Sequence, residues 1–430
     1  MSTPRPLPPR WKLHFGTLFA GQAVSLFGSS LVQFALVWWL TQKTGSATVL
    51  ATATLAATLP GIFLGPVAGV LVDRWNRRWV MFTADSLVAL ATLALAYLFW
   101  VGAAQTWHVY VIMFIRSAGQ TFQSPALQAS TSLMVPEDQL ARVSGFNQML
   151  AGGMGILAPP IGALLLSLLP LQGVLAIDFV TVLLGVSPLL FVFIPQPPAA
   201  PHAVRGSFGS ELRAGLRYVT AWPGMLMLLS MALILNLLFT PASALLPLLV
   251  RNHFGGGAPQ LATLESTFGI GVIVGSLILG VWGGFKRRII TSLVGLVGLG
   301  LGFFLIGAAP ANGFWFAVGA AAFVSIMQPI TNGPLMAILQ ATVAPEMQGR
   351  VFSLVGAGAN AMTPLGLLLA GPAADWLGVR FWFLLSGAVC VIMALGAFFV
   401  PALVNIEKHA PTTAAAESAG VAGEAAPAAS

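Results

Sequence analysis

The stretch GVLVDRWNRR, residues 69–78, decides the fold of this chain. It places one acid and three arginines between two long apolar runs. Residues 47–72 contain no charged side chain, and residues 79–101 contain only Asp85. A short basic loop that joins two segments of membrane-crossing length is typical of a cytoplasmic hairpin between transmembrane helices.

The composition points to membrane helices along the whole chain. Of its 430 residues, 57% are hydrophobic and only 7% are charged, and the mean hydropathy is +0.89. Soluble domains contain about 25% charged residues, so an ordinary globular protein is excluded. A transmembrane helix needs about 20 apolar residues. The sequence predicts an all-α integral membrane protein with twelve spans, at residues 15–40, 47–72, 79–101, 109–134, 140–169, 171–194, 223–250, 261–284, 289–309, 313–343, 351–374 and 379–400.

The distribution of basic residues predicts the orientation of these spans. The net charge of +7 and the pI near 10.3 would, on their own, be compatible with nucleic-acid binding. Most of the 19 Lys and Arg residues, however, fall in alternate loops and near the termini. Cytoplasmic loops carry such an excess. We therefore expect both termini in the cytoplasm, a multi-pass protein of the cell membrane (in bacteria, the inner membrane) and no nucleic-acid partner.

The longest polar interruption divides the spans into six and six. It contains QPPAAPHAVRGS followed by ELRAGLRYV, whose charges favour a short helix at the membrane surface. The Ala-rich end of the chain has the composition of a disordered segment. The predicted organisation is a cytoplasmic N-terminal segment at 1–14, a six-helix bundle at 15–195, a cytoplasmic linker at 196–222, a second six-helix bundle at 223–402 and a disordered cytoplasmic tail at 403–430.

The two halves contain an internal repeat. SPALQASTSLMVPE, residues 124–137, aligns without gaps to GPLMAILQATVAPE, residues 333–346, and an Arg–Val pair follows each copy. Duplicated six-helix halves packed about an axis normal to the membrane are an architecture of transporters. The alternative is that both segments are merely similar helix ends capped by proline.

The basic loop resembles the signature loop of the major facilitator superfamily between its second and third helices, and departs from it at Asn76, where glycine is usual. The pattern of residues 15–78 looks like the macrolide-efflux and enterobactin-export branch, and the resemblance extends to about residue 402. It implies a gate in which the acid caps a helix of the other half and the arginines tie cytoplasmic ends together. The alternative is that these charges only set topology. The matching residues are Gly69, Asp73, Arg74, Arg77 and Arg78.

Charged residues inside the spans are candidates for proton coupling. Arg116 lies about seven residues inside an apolar run, so it should face a partner or a water-filled cavity. The resemblance links this arginine to proton transfer. Asp178 is the deepest acid and could pair with Arg116, and Glu265 is a second candidate carrier. Asp85 is interpreted as a brace for the basic loop. Structural pairing or hydrogen bonding is the alternative for Arg116, Asp178 and Glu265.

The fifth span carries GGMGILAPPIGALL, residues 152–165. The spacing of Gly155, Pro159 and Gly162 resembles the glycine-proline motif of exporters, with Ala158 where glycine is usual. The motif favours export over uptake. Close helix packing explains the same pattern equally well.

The resemblance implies that spans 1, 4, 7 and 10 line a central cavity. Apolar surface with a few neutral amides suits a bulky amphipathic ligand. The alternative for each amide is a hydrogen bond between helices. The cavity candidates are Gln22, Gln33, Gln120, Gln123, Asn236, Phe239, Met327, Gln328 and Asn332, with Asn360 on the adjacent span.

Several classes of protein are not indicated. The sequence has no GxxxxGK[ST] phosphate-binding loop, no Cys/His metal cluster and no nucleophile–base set in its loops. We expect no enzyme, no cofactor and no metal. The sequence predicts a monomeric proton-coupled exporter whose partners are protons, an amphipathic small molecule and the lipid bilayer. The alternatives are an importer or lipid flippase on the same scaffold, or a non-transporting receptor or scaffold.

Overall fold

The computed structural model describes residues 11–192, 194, 216–220, 222–343 and 345–407. Residues 216–220 are helical, while the rest of the predicted surface helix and the tail beyond 407 lie outside the described residues. The labelled helices are α1 (Trp11–Thr44), α2 (Ala47–Arg74), α3 (Arg77–Trp100), α4 (Thr106–Met134), α5 (Glu137–Leu168), α6 (Leu171–Phe191), α7 (Pro223–Ala244), α8 (Leu246–Asn252), α9 (Ala258–Trp282), α10 (Arg288–Ala308), α11 (Phe314–Thr342), α12 (Pro345–Leu377), α13 (Val379–Phe398) and α14 (Pro401–Val404).

The all-helical membrane fold predicted from the sequence is confirmed. Eleven of the described helices are long and apolar enough to cross a membrane. The one other predicted span, residues 109–134, corresponds to α4. This helix of 29 residues is about 43 Å long but carries more polar side chains than the others. The structure divides the predicted span 223–250 at Leu245, so that its last residues form the separate 7-residue helix α8. The 4-residue helix α14 follows the last predicted span and was not predicted.

The hairpin between α2 and α3 is closed by side-chain capping. The Oδ1 of Asn76 accepts a hydrogen bond from the backbone N–H of Arg78 at 3.1 Å, so Asn76 is the N-cap of α3. Asparagine is among the best N-cap residues. The departure from the usual glycine therefore gives the loop a capped helix start.

The described residues form two compact units. The first contains residues 11–194 and Ala244–Gly269, and the second contains residues 216–243 and 270–407. The segment 244–269, which belongs to the predicted second bundle, packs here on the first unit. Arg251 donates to the carbonyl oxygen of Thr41 at the end of α1, and Ser266 Oγ donates to the carbonyl oxygen of Ile156 at 2.8 Å.

In the first unit, α1 packs closely on α6, and α3 packs on both α4 and α6. Small residues make the α1–α6 approach possible. A side chain added at Gly28 would collide with Thr181 and come within 3.1 Å of the Asp178 carboxylate. The absence of a side chain at Gly28 thus sets the position of an acidic residue inside the unit.

In the second unit, α10 is packed between α11 and α13. A Cβ at Gly387 would come within 2.6 Å of the Gly300 carbonyl oxygen, so the backbones of α10 and α13 are nearly in contact. The rings of Phe239 and Phe303 stack with centroids 4.5 Å apart. Glu407 caps α10 by accepting a hydrogen bond from the backbone N–H of Ile289 at 2.9 Å.

Candidate functional site

A buried ion pair lies at the centre of the first unit. Arg116 Nη1 of α4 is 2.5 Å from Asp178 Oδ2 of α6, and the Asp178 side chain has no exposed surface. The same guanidinium nitrogen donates to Thr92 Oγ1 at 2.6 Å, and the Thr92 hydroxyl donates to Asp178 Oδ2 at 3.4 Å. The pairing of Arg116 with Asp178 that the sequence predicts is therefore present.

Helix α1 completes this arrangement. Arg116 Nη2 donates to the backbone carbonyl of Ser29 at 3.3 Å, and Ser29 Oγ donates to Asp178 Oδ1 at 3.4 Å. We call Ser29, Thr92, Arg116 and Asp178 the ion-paired layer. It joins one residue from each of α1, α3, α4 and α6, and buried charges of this kind mark functional positions in membrane proteins.

A second polar group contains Asp85, and here the sequence interpretation is wrong. Asp85 does not brace the basic loop: its Oδ2 accepts from Gln22 Nε2 at 3.0 Å and its Oδ1 accepts from Gln123 Nε2 at 2.6 Å. Gln22 Nε2 also donates to the carbonyl oxygen of Gly185 at 3.2 Å, and Gln123 Nε2 also donates to Gln22 Oε1 at 2.6 Å. We call Gln22, Asp85, Gln123 and Gly185 the amide layer.

The two layers are separated by one heptad on each of the four helices. The intervals are seven residues forward along α1 and α3 and seven residues backward along α4 and α6. Seven residues span about 10.5 Å of helix and return to nearly the same face. The corresponding pairs are Gln22 with Ser29, Asp85 with Thr92, Gln123 with Arg116 and Gly185 with Asp178.

Sequence reasoning missed the contributions of Ser29 and Thr92 and the true partners of Asp85. The available signal was the shared spacing of seven between polar residues on neighbouring spans. This spacing identifies a layer only after the packing register of the helices is known.

The arginines of the basic loop have different partners. Arg78 donates through Nε and Nη2 to the carbonyl oxygens of Leu189 and Leu190, at the C-terminal end of α6. Unpaired carbonyls and the negative end of the helix dipole favour a cation there. Arg77 is 7% exposed and donates through Nη1 to the carbonyl oxygen of Ala129 at 2.9 Å.

The acid of the loop remains accessible. Asp73 Oδ1 lies 3.8 Å from Arg77 Nη2, and its side chain is 58% exposed. Arg74 is also exposed, and among the described residues no atom lies within 4 Å of a Cβ added at Gly69. The loop therefore combines two arginines that bond to helix backbones with an exposed acid.

The glycine-proline segment of α5 lies against α1. A Cβ at Gly162 would come within 2.8 Å of Phe34 Cδ1, and Pro159 is buried. Gly155 is exposed, and the neighbouring Ile156 is in contact with the segment 244–269 through Ser266. The three motif residues thus lie along one helix that contacts two different parts of the first unit.

The structure separates the predicted cavity residues into groups. Gln22 and Gln123 are buried together in the amide layer. Asn236 Nδ2 donates to the carbonyl oxygen of Ala232 in its own helix, and Phe239 stacks on Phe303. Met327 packs at Gly298 of α10. The candidates that are exposed in their own units are Gln33, Gln120, Gln328, Asn332 and Asn360.

The remaining features of the first unit are a half-buried acid and a cavity. Glu265 is partly buried on α9. A cavity of about 340 Å³ lies between the ends of α1 and α5 and the start of α9, and its wall includes Trp38, Trp39 and Gln42.

Within the described ranges, no group of three or more His, Cys, Asp or Glu residues could hold a metal ion.

A bundle of membrane-length helices with charged and amide layers in its interior has the construction of a membrane transporter. A sequence model of the Major Facilitator Superfamily matches residues 18–257 and residues 228–427. This chain belongs to that superfamily and is a multi-pass membrane protein.

Sequence relatives cover almost the whole chain. Macrolide efflux protein A of Streptococcus pyogenes is 35% identical over 385 residues, which are 90% of this chain and 95% of the relative. Its namesake from Enterococcus faecalis is 32% identical over 75% of this chain and its own full length. The multidrug efflux pump Tap of Mycobacterium tuberculosis is 28% identical over 93% of this chain and 95% of the relative.

Solved structures share the fold at low sequence identity. A bacterial homologue of the iron transporter ferroportin, in an inward-facing state, superposes with a TM-score of 0.69 at 14% identity, covering 89% of this chain and 98% of the other. A bacterial homologue of the human lysosomal transporter Spinster gives a TM-score of 0.68 at 15% identity, covering 94% and 100%.

Proposed function

We propose that this protein is a secondary active efflux transporter that exports amphipathic small molecules, such as macrolide-like drugs or siderophores, by alternating access. One observation carries the direction of transport. The chain is 35% identical to a macrolide efflux protein across 95% of that protein's length. The exporter-type spacing of Gly155, Pro159 and Gly162 on α5 points to the same direction.

In this proposal the proton gradient drives export. The sequence contains no nucleotide-binding loop, whereas the first unit buries carboxylates among its helices. Asp178 with Arg116, and Glu265 on α9, are the proton-coupling candidates that the sequence predicts. Protonation of Asp178 would remove the counterion of Arg116, so proton binding and the ion-paired layer would be linked.

The basic loop is the proposed gate. Asp73 is the exposed acid of the loop, while Arg77 and Arg78 are fixed to the backbones of α4 and α6. In this assignment Gly69 and Arg74 complete the loop, and a change of partner by Asp73 accompanies the switch between states. Of the cavity residues predicted from the sequence, the proposed substrate contacts are the exposed amides together with Asn236, Phe239 and Met327. Gln22 and Gln123, also predicted, are held in the amide layer.

Direction and substrate are tested in cells that express the chain. Labelled macrolide is loaded into de-energised cells, an energy source is added, and the retained label is followed with and without a protonophore. Energy-dependent loss of label that the protonophore abolishes supports the proposal. Accumulation of label above the empty-vector control would instead identify an importer, and equal retention in both strains would refute export of this substrate class.

A further inference from the structure

We infer that Asp85 is the proton-binding group of the transport cycle and that Gln22 and Gln123 convert its protonation into a change of the amides on α1 and α4. This inference rests on the proposed proton-coupled export. It chooses a different acid from the two that the sequence predicts. The site is the amide layer, and its ligand is a proton taken from water.

The orientation of the two amides is set by their neighbours. The carbonyl oxygen of Gly185 can only accept, so the atom of Gln22 that faces it at 3.2 Å must be the Nε2 donor. That same nitrogen donates to Asp85 Oδ2, which leaves Gln22 Oε1 to accept from Gln123 Nε2. Both glutamines therefore present N–H groups to the carboxylate.

This arrangement favours the ionised form of Asp85. An ionised carboxylate accepts hydrogen bonds and donates none, whereas a protonated carboxyl group gains an O–H donor. In the amide layer both carboxyl oxygens face N–H groups, so neither glutamine in this orientation offers an acceptor to the new O–H. One amide must turn its oxygen toward Asp85, and a turn of Gln22 would break the hydrogen bonds to Gly185 and from Gln123.

The energetic consequence is that proton uptake at Asp85 cannot leave its surroundings unchanged. A buried donor or acceptor without a partner costs about 1–3 kcal/mol, so the layer must rearrange to satisfy the new donor. The side chains of the layer are almost fully buried: Asp85 is 4% exposed, Gln22 1% and Gln123 7%. Bulk water therefore cannot supply the missing hydrogen bond. A coupling device needs this property, because a ligand shifts an equilibrium only if it interacts differently with the two states.

The ion-paired layer has a different chemistry. Asp178 has a guanidinium counterion at 2.5 Å, and its protonation would leave that cation without a counterion inside the unit. Among the described residues, no lysine, arginine or histidine forms an ion pair with Asp85. Protonation of Asp85 therefore leaves no cation without a counterion.

The other charged groups on α1, α3, α4 and α6 either bond to other partners or lie far from the amide layer. On α3 itself, Arg77 and Arg78 bond to backbone carbonyls of α4 and α6. On α4 and α6, Arg116 and Asp178 pair with each other about 10.5 Å along the helices from the amide layer. The remaining groups lie at least two helical turns from it along their helices: Lys12, His14 and Lys43 on α1, and His108 on α4.

The first test uses purified protein in proteoliposomes and the variant Asp85→Asn, whose amide has the shape of the protonated carboxyl group. Macrolide export is measured uphill, driven by a pH gradient, and downhill, without one. We expect Asp85→Asn to lose uphill export by about tenfold or more, within the range of coupling free energies, while downhill export continues. Asp138→Asn, an exposed acid at the start of α5, is the matched control and should retain both.

The outcomes separate this inference from the proposed function. If wild-type export is insensitive to the pH gradient, the proposed coupling fails before any variant is made. If wild-type export is coupled and Asp85→Asn remains equally coupled, the inference is overturned. Loss of coupling in Glu265→Gln, with coupling kept in Asp85→Asn, would return the role to an acid predicted from the sequence.

A measurement on the wild-type protein tests the inference even if Asp85→Asn does not fold. Infrared difference spectra between neutral and low pH detect the carbonyl stretch of a protonated carboxyl group, and carbon-13 labelling of aspartate assigns it. We expect an aspartate band at low pH in the wild type, accompanied by changes in glutamine amide bands. Absence of the aspartate band, or no loss of its intensity in Asp85→Asn, would overturn the inference.

Discussion

At the scale of single residues, the buried charges of the first unit depend on one another. Asp178 is buried and Arg116 is largely buried, and Thr92 and Ser29 satisfy further atoms of the pair. Breaking a buried ion pair by removing one partner costs more than replacing the whole pair, because one charge is left uncompensated.

This asymmetry can be measured. We expect Asp178→Asn to lower the free energy of unfolding by about 3 kcal/mol, and the double variant Arg116→Gln/Asp178→Asn to recover much of that loss. Thermal unfolding of the wild type, both single variants and the double variant in detergent completes the cycle. Additive effects of the two substitutions would show that the pair does not interact.

The exposed acid of the basic loop gives a second prediction at this scale. Asp73→Asn removes a charge that is 58% exposed and contacts Arg77 only at 3.8 Å, so stability should change little. If Asp73 is a gating group, the rate of macrolide export should fall severalfold with an unchanged unfolding temperature. Export at the wild-type rate would remove the gating assignment, and Asp138→Asn is the control for charge loss alone.

The sequence predicts some of these contacts and not others. Two opposite charges inside apolar runs have few other partners, and hence the pairing of Arg116 with Asp178 could be predicted. The partners of Asp85 could not, because Gln22 and Gln123 are 63 and 38 residues away and only the packing register brings them together. Its proximity to the basic loop along the chain suggested a brace, but the helix directs the carboxylate into the bundle.

At the scale of helices, close packing of α1 on α6 holds the ion-paired layer together. Gly28 lies where any side chain would meet Thr181, whereas Gly16, on the same helix, has open space around it. Alanine is about 1 kcal/mol better than glycine inside a helix, so both positions gain equally from local propensity.

These two glycines form a matched pair for a stability measurement. We expect Gly16→Ala to leave the unfolding temperature unchanged or slightly raised, and Gly28→Ala to lower it because α1 and α6 must move apart. The comparison is made by thermal unfolding of purified protein in one detergent. Equal effects at both positions would contradict the role assigned to the α1–α6 contact.

Helix positions were predictable because membrane length and hydropathy determine them. The repeat between residues 124–137 and 333–346 also gives similar local structure: α4 ends at Met134 and α11 ends at Thr342, within one residue of equivalent positions. Hydropathy is weakest for α4, whose many polar side chains include Arg116 and Gln123 of the two layers. The break at Leu245 between α7 and α8 falls within one continuous apolar run, and the four residues of α14 are too few to show a periodicity.

At the scale of the whole molecule, the chain combines an efflux-type sequence with two polar layers in its first unit. One layer carries its own counterion, and the other contains an acid held by neutral amides. On this difference we base the proposed division of roles: the paired charge orders the helices, and the acid without a cation exchanges a proton. In the proposed cycle, export of substrate is accompanied by entry of a proton.

The most direct test of proton-coupled export measures proton movement during substrate efflux. Purified protein is reconstituted in liposomes that contain macrolide and a pH-sensitive dye, with equal pH inside and outside. Proton-coupled export predicts that efflux of macrolide down its gradient acidifies the lumen, and that a protonophore abolishes the acidification but not the efflux. Macrolide efflux at an unchanged internal pH would contradict proton coupling.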